Sequence, residues 1–164
     1  MVDPRPVSMP KSLSFEVYIS QVACGNAHSM FISRDGHLFA FGSNVEGQLG
    51  INDPHMRVSS APLLVADILT LQVQPVQVAC GGQHTALVVT DGSLYTWGRN
   101  VEGQCGLPAN RNFSIHRPQR VDLSRRITVS QISCGDKHTA FEATDGSLFT
   151  FGDNSHGQLG LGMP

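Results

Sequence analysis

The sequence predicts an all-β protein: β-propeller blades of about four antiparallel strands each, arranged as three repeats. Three observations carry this reading. One stretch is written three times, as Val22-Ala-Cys-Gly-Asn-Ala-His28, Val78-Ala-Cys-Gly-Gly-Gln-His84 and Ile132-Ser-Cys-Gly-Asp-Lys-His138. Self-similarity at a fixed period is the signature of a repeat architecture. Each copy then places an Asp-Gly pair between two apolar, β-rich runs: Asp35-Gly36, Asp91-Gly92 and Asp145-Gly146. Finally, 17 glycines and 9 prolines in 164 residues call for many turns, and so for short strands rather than long helices.

The second copy shows the elements in order. Val76 to Cys80 is a short β-rich run stopped by Gly81-Gly82. His84 to Thr90 follows, rich in β-branched residues, and Asp91-Gly92 separates it from Ser93 to Trp97. Two such runs joined by Asp-Gly predict a hairpin with a two-residue type I′ turn. A further strand is expected at Ala61-Pro-Leu-Leu-Val65 and at Arg117-Pro-Gln-Arg-Val121. A proline at its start suits an edge strand, which need not donate every ladder bond. Four short strands per ~55 residues describe a propeller blade. The chain divides into an N-terminal segment, 1–14, and a three-repeat domain, 15–164, with repeats at about 15–65, 66–121 and 122–164.

Aromatic residues recur at fixed strand positions: Phe39, Tyr95 and Phe149, then Phe41, Trp97 and Phe151, with Phe31, Leu87 and Phe141 as a third set. Smaller residues recur opposite them: Met30, Ala86 and Ala140, then Ala40, Thr96 and Thr150. A large face meeting a small face is what radial packing of sheets requires, and each aromatic would bury roughly 150–250 Å². The third copy departs at Glu142, where the others carry Ile32 and Val88. That face is expected to be wetter, or to meet something else.

Composition excludes several classes. Hydrophobic residues make up 40% and charged residues 15%, as in a folded protein, and the net charge of −2 gives no electrostatic footprint for nucleic acid or anionic membrane. No run approaches the ~18 apolar residues of a membrane span. Met1 to Ser14 has three prolines and no apolar run, which does not read as a signal peptide. Three of the four cysteines hold equivalent repeat positions about a blade apart, so pairing is not expected. A reducing compartment, cytoplasmic or nuclear, is the expectation.

The complete pattern is Cys-Gly-x-x-His, Asp-Gly, Leu-aromatic-x-aromatic-Gly and Asn-x-x-Gly-Gln-Leu-Gly. It resembles the regulator of chromosome condensation repeat over residues 22–51, 78–107 and 132–161, the second copy carrying Cys105 where leucine is usual. The resemblance implies a β-propeller, usually of seven such blades. Three blades would leave sheet faces and strand edges unpaired. Three resolutions stand open: a fragment or short form of a longer protein, copies assembling into a ring, or the segment Val2–Ser14 completing a blade.

The recurring residues are Cys24, Gly25, His28, Gly36, Gly42 and Gln48; Cys80, Gly81, His84, Gly92, Gly98 and Gln104; and Cys134, Gly135, His138, Gly146, Gly152 and Gln158. They read as structure rather than chemistry. Zinc needs four ligands at one ion, and each blade offers one cysteine and one histidine. The bland expectation is a buried cysteine beside a tight turn and a histidine bonded to backbone within its own blade. A Cys–His nucleophile needs one special pair with an orienting third group, and three equivalent pairs argue against it. The glycine-rich endings lack the Gly-Lys-Ser/Thr of a phosphate loop; Asn44, Asn100 and Asn154 are placed to cap tight corners. No catalytic, cofactor or metal residue is expected.

What does not repeat is the linker sequence. Arg117, Arg120, Arg125 and Arg126, with Arg111 and His116 nearby, give the second linker a basic bias. Loops that vary on a repeating scaffold are where specificity resides, so linkers 51–61 and 107–117 are the expected contact regions, with Arg111, His116, Arg117 and Arg120 as candidate partner contacts. The function expected is a protein-interaction scaffold with a protein partner and no direct nucleic-acid or membrane contact. The alternative is guanine-nucleotide exchange on a Ran-like small GTPase, which the resemblance implies by fold only. Light sensing, found in one plant branch of that family through clustered tryptophans, is set aside because Trp97 is the single tryptophan.

Overall fold

The computed structural model describes residues 4–9, 16–108, 113–123 and 127–162. Three antiparallel sheets follow one another along the chain. The first holds β1 (Ile19–Cys24), β2 (His28–Ser33), β3 (Leu38–Ser43) and β4 (Val58–Leu64) in sequential order. A short helix, α1 (Ala66–Thr70), leads to the second sheet of β5 (Pro75–Cys80), β6 (His84–Val89), β7 (Leu94–Arg99) and β8 (Ser114–Arg120). The third has β9 (Val129–Cys134), β10 (His138–Ala143) and β11 (Leu148–Gly152). These are propeller blades, and neighbouring blades meet mainly through their two inner strands: β1 and β2 against β5, then β5 and β6 against β9.

The large-against-small rule shapes both joints. Met30, Ile32, Leu38 and Ala40 of blade one pack with Val78, Leu87, Tyr95 and Trp97 of blade two. Ala86, Val88 and Leu94 on the other side of blade two pack with Ile132, Phe141, Phe149 and Phe151 of blade three. Phe31 stacks on Phe39 and Phe141 on Phe149, both at 4.9 Å between ring centres. Glu142 is exposed on the far side of blade three, together with Leu148.

The hairpins sit where the Asp-Gly pairs place them, but the turn is not type I′. That type needs positive φ at both central residues, whereas Gly36, Gly92 and Gly146 are at +84°, +75° and +84° and none of the aspartates has positive φ. Gly36 N–H donates to the Ser33 carbonyl, Gly92 to Val89 and Gly146 to Ala143. A four-residue turn thus ends on a left-handed glycine, a bulged hairpin that relieves the aspartate of a strained φ. Asp91 and Asp145 instead accept the backbone N–H of Ser93 and Ser147.

Two further differences concern the linkers. The outer strands begin three residues earlier than expected, and Pro62 and Pro118 lie inside them. Both are the outermost strands of their sheets, so a missing N–H is tolerated there. The helix α1 was not expected: it is one turn, without a side-chain cap, and buries only Ile68. Of the N-terminal segment, residues 4–9 form no strand, and the rest lies outside the described residues, as do Arg111, Arg125 and Arg126.

Candidate interaction surface

The repeated residues are absorbed by the joints between blades. Gln21 donates its amide to the Val78 carbonyl (3.2 Å) and accepts the Val78 N–H (2.9 Å). One blade on, Gln77 makes the same pair with Ile132 at 3.2 and 3.0 Å. Each glutamine therefore acts as a short stand-in strand, occupying the backbone edge of the next inner strand.

The histidines do not bond backbone within their own blade. His28 Nε2 lies 3.0 Å from the Thr85 hydroxyl and His84 Nε2 lies 2.9 Å from the Thr139 hydroxyl, each across a joint. Thr85 in turn donates to the Gln48 carbonyl (2.9 Å) and Thr139 to the Gln104 carbonyl (2.8 Å). A hydroxyl has one proton. Since it goes to the carbonyl, the imidazole must be the donor at Nε2. That assigns the Nε2–H tautomer and leaves Nδ1 without a partner, as found for both rings. The rings lie flat against the motif glycines: a Cβ on Gly25 would stand 2.4 Å from His28 Cε1, and one on Gly81 2.1 Å from His84 Cε1. Glycine is there because the ring is. Burial holds His28 and His84 down at about 4, so both are neutral.

The cysteines vary in environment. Cys80 and Cys105 are buried, Cys134 half-buried and Cys24 exposed; all are free. Desolvation raises the thiols of Cys80 and Cys105 strongly and pushes Cys134 up to about 12. None of those three supplies a thiolate nucleophile at neutral pH. Cys24 is exposed on β1, against which no preceding blade packs among the described residues as β1 and β2 pack on β5. Among the described residues, no three His, Cys, Asp or Glu side chains gather as a metal site.

The glycine-rich endings are closed corners. Asn44, Asn100 and Asn154 accept the N–H of Leu49, Cys105 and Leu159 at 3.1, 2.9 and 3.0 Å. Gln48, Gln104 and Gln158 fold back to accept the N–H of Glu46, Glu102 and His156. Gly50 sits on the Trp97 indole and Gly106 on the Phe151 ring, where a Cβ would come within 2.7 and 2.9 Å. Trp97 also donates to the Gln48 carbonyl at 2.9 Å.

Non-repeating side chains are left to face outward. His116, Arg117 and Arg120 lie on β8, the outer strand of blade two, with both arginines exposed and His116 half-buried. Their positions in β4 are held by Ser60, Ala61 and Leu64. Arg117, Gln119 and Arg120 line a cleft of roughly 520 Å³ whose other wall is Asp67, Thr70 and Leu71 of the α1 region. The carbonyl of His116 accepts the N–H of Asn52, tying the cleft's end to the first linker. A second polar feature crosses all three blades. Arg99 lies 3.9 Å from Glu46 and 3.4 Å from Glu102, which also meets Lys137 at 3.7 Å. Asn26 of blade one donates to Asp136 of blade three at 2.8 Å. They meet over Gly82, where a Cβ would stand 2.0 Å from the Asp136 carboxylate. These groups are legible in the sequence only as scattered charges; nothing in their spacing announces that they converge.

Comparison with known proteins places this architecture. The family models described as "Regulator of chromosome condensation (RCC1) repeat" match residues 35–88 and 91–141 in one form, and 19–48, 76–104 and 129–158 in the other. The human "Probable E3 ubiquitin-protein ligase HERC6" is 39% identical over 147 residues, covering 88% of this chain but 14% of that protein. Among solved structures, human WBSCR16 superposes with a TM-score of 0.75 at 28% identity, over 85% of this chain and 34% of that one. Prp20p of Saccharomyces cerevisiae, whose structure was reported with its binding to Gsp1p and histones, superposes with a TM-score of 0.75 at 23% identity, over 89% of this chain and 35% of that one, a likeness of fold. The chain thus spans about a third of the solved propellers and a seventh of the ligase it matches. With three copies of the motif on three blades, it belongs to the regulator of chromosome condensation (RCC1) repeat family.

Proposed function

We propose that the chain is a protein-interaction scaffold whose contact surface is the outer edge of blade two, centred on Arg117 and Arg120 with His116 beside them. One observation carries this reading. The recurring polar side chains at the two joints are spent on joining blades, whereas these arginines are exposed and stand where the equivalent strand has Ala61 and Leu64. Among the described residues Arg117 has no ion-pair partner, and the charge acting with Arg120 is Asp91. Two exposed guanidiniums beside a cleft, one of them without an ion-pair partner among the described residues, suit a protein segment bearing carboxylates. In a protein of the HERC6 kind, such an arc would hold a partner while ligation takes place elsewhere in the molecule.

The test is affinity capture with the wild-type chain and with the double variant Arg117→Glu, Arg120→Glu. Direct partners should be lost on charge reversal and recovered with a partner of reversed charge. A partner set unchanged by the reversal overturns the assignment. The exchange alternative rests on fold-level likeness. Stimulated nucleotide release from a small GTPase would put it in place of the scaffold reading.

A further inference from the structure

The cleft of roughly 520 Å³ between β8 and the α1 region has a neighbour. A second cleft, of roughly 260 Å³, lies toward the corner of blade two, where Asn100 and Pro108 wall it. Asn52, Arg117 and Gln119 line both clefts, so the two are halves of one groove along β8. Its walls come from the linker after blade one and from blade two, both inside the arc.

Strand geometry aims the side chains into it. Gly98 pairs with Ile115 and Thr96 with Gln119, so His116, Arg117 and Pro118 stand opposite Trp97 alone. A bulge of this kind bends the strand and re-aims what it carries. β4 makes the same bulge, with Ser60, Ala61 and Pro62 opposite Phe41. Blade one, however, places Ala61 and Leu63 where blade two places Arg117 and Gln119. The bend belongs to the repeat, and the polar lining belongs to β8.

Asn52 and Gln119 are exposed, and among the described residues neither side-chain amide makes a hydrogen bond. Such an amide carries both donors and an acceptor. This fold already shows what it does beside an extended chain. Gln21 takes both backbone groups of Val78, and Gln77 takes both of Ile132. The edge of β8 itself offers little to an added strand here. Pro118 has no N–H, and the His116 carbonyl accepts the Asn52 N–H at 2.8 Å. The free amides of Asn52 and Gln119 are therefore the groups in the groove suited to hold a foreign backbone.

We infer that the groove takes a segment of a protein partner in extended conformation, its backbone paired with the Asn52 and Gln119 amides and a carboxylate side chain held by Arg117. The inference rests on the reading of this edge as the contact surface and narrows it: the partner presents a short linear stretch with an aspartate or glutamate, not a folded acidic face. Charge selects the occupant. Arg117 and Arg120 stand against one aspartate, Asp67, in the lining, on a chain whose net charge is −2. Extended peptides bound in this way draw affinity from main-chain hydrogen bonds and specificity from side-chain contacts.

The probe is a library of peptides of about ten residues with one fixed central glutamate, selected on the immobilised wild-type chain and measured by fluorescence polarisation. Selected peptides should weaken roughly tenfold or more against Arg117→Glu and recover when their glutamate is changed to lysine. They should weaken about three- to tenfold against Gln119→Ala, and against Asn52→Gly, which removes the amide while keeping the φ of +55° accessible. N-methylation of the peptide backbone beside the glutamate should cost as much, a change that a contact made by charge alone would not feel. Circular dichroism checks that each variant is folded. Failure to select any peptide that loses affinity on Arg117→Glu overturns the inference. So does a peptide indifferent to Gln119→Ala, Asn52→Gly and N-methylation alike. If captured partners are lost on charge reversal while no peptide binds, the scaffold reading stands and a folded acidic face takes the place of the linear segment.

Discussion

Replacing Thr139 with valine keeps the shape of the side chain and removes one hydroxyl. That hydroxyl receives the His84 imidazole N–H and donates to the Gln104 carbonyl, in a site where His84 and Thr139 have no solvent exposure. Thr139→Val therefore strands two buried groups. At about 1–3 kcal/mol per unsatisfied group, the expected loss is roughly 2–6 kcal/mol. Thr85→Val at the other joint strands the His28 N–H, but the Gln48 carbonyl still receives the Trp97 indole at 2.9 Å. Its loss should be about 1–3 kcal/mol. The ordering is thus the sharper expectation: Thr139→Val costs more than Thr85→Val by about the value of one orphaned carbonyl. Urea titrations of the three proteins at pH 7.5, with a common slope, give both differences. A Thr139→Val loss below ~0.5 kcal/mol, or a larger loss for Thr85→Val, would refute the relay as drawn.

Acid should weaken the fold in a definite window. His28 and His84 titrate near 4 when folded and near 6.5 when unfolded, so below pH 6.5 the unfolded chain binds more protons. Their contribution is complete above 6.5 and is lost as pH falls through 4, by up to about 3 kcal/mol each. Urea midpoints at pH 7.5, 6 and 4.5 should decline progressively, and a flat response would contradict neutral buried rings. In one loop, Gly103 and Gly106 have φ of +79° and +63°, but only Gly106 faces a ring, with Phe151 at 2.9 Å from a notional Cβ. Gly103→Ala should cost the ~1 kcal/mol of a left-handed alanine, and Gly106→Ala clearly more, by thermal melting. Trp97→Phe, the residue at the equivalent places 41 and 151, removes the indole donor to Gln48 and should cost about 1–2 kcal/mol.

The scaffold was largely legible in the sequence because its signals are local. Asp-Gly fixes a hairpin, Asn and Gln fix a corner, and periodicity fixes which residues are equivalent. The turn type was misjudged because the dipeptide alone does not count the loop: Ser33 to His37 closes over a bulge where two residues were expected. The cross-blade relay was missed because its second member is a threonine, a residue at home in any strand. A signal was present, since each motif histidine is followed at once by a hydroxyl (Ser29, Thr85, Thr139), yet only the stacking of one sheet on the next gives it a partner. The α1 turn left no trace, being five residues without a cap. The convergence of Glu46, Arg99, Glu102 and Lys137 needed the arc itself, which brings together corners that lie far apart along the chain.

Gly82 has a consequence for how this arc holds together. By having no side chain, it lets Asn26 reach past the middle blade to Asp136. Stacked-repeat proteins are ordinarily described by adjacent-pair energies alone, like beads on a one-dimensional lattice. Here the first and third units are in direct communication, so deleting either terminal unit should perturb the loop at the opposite end, and the energies of two-unit fragments should fail to sum to that of the whole.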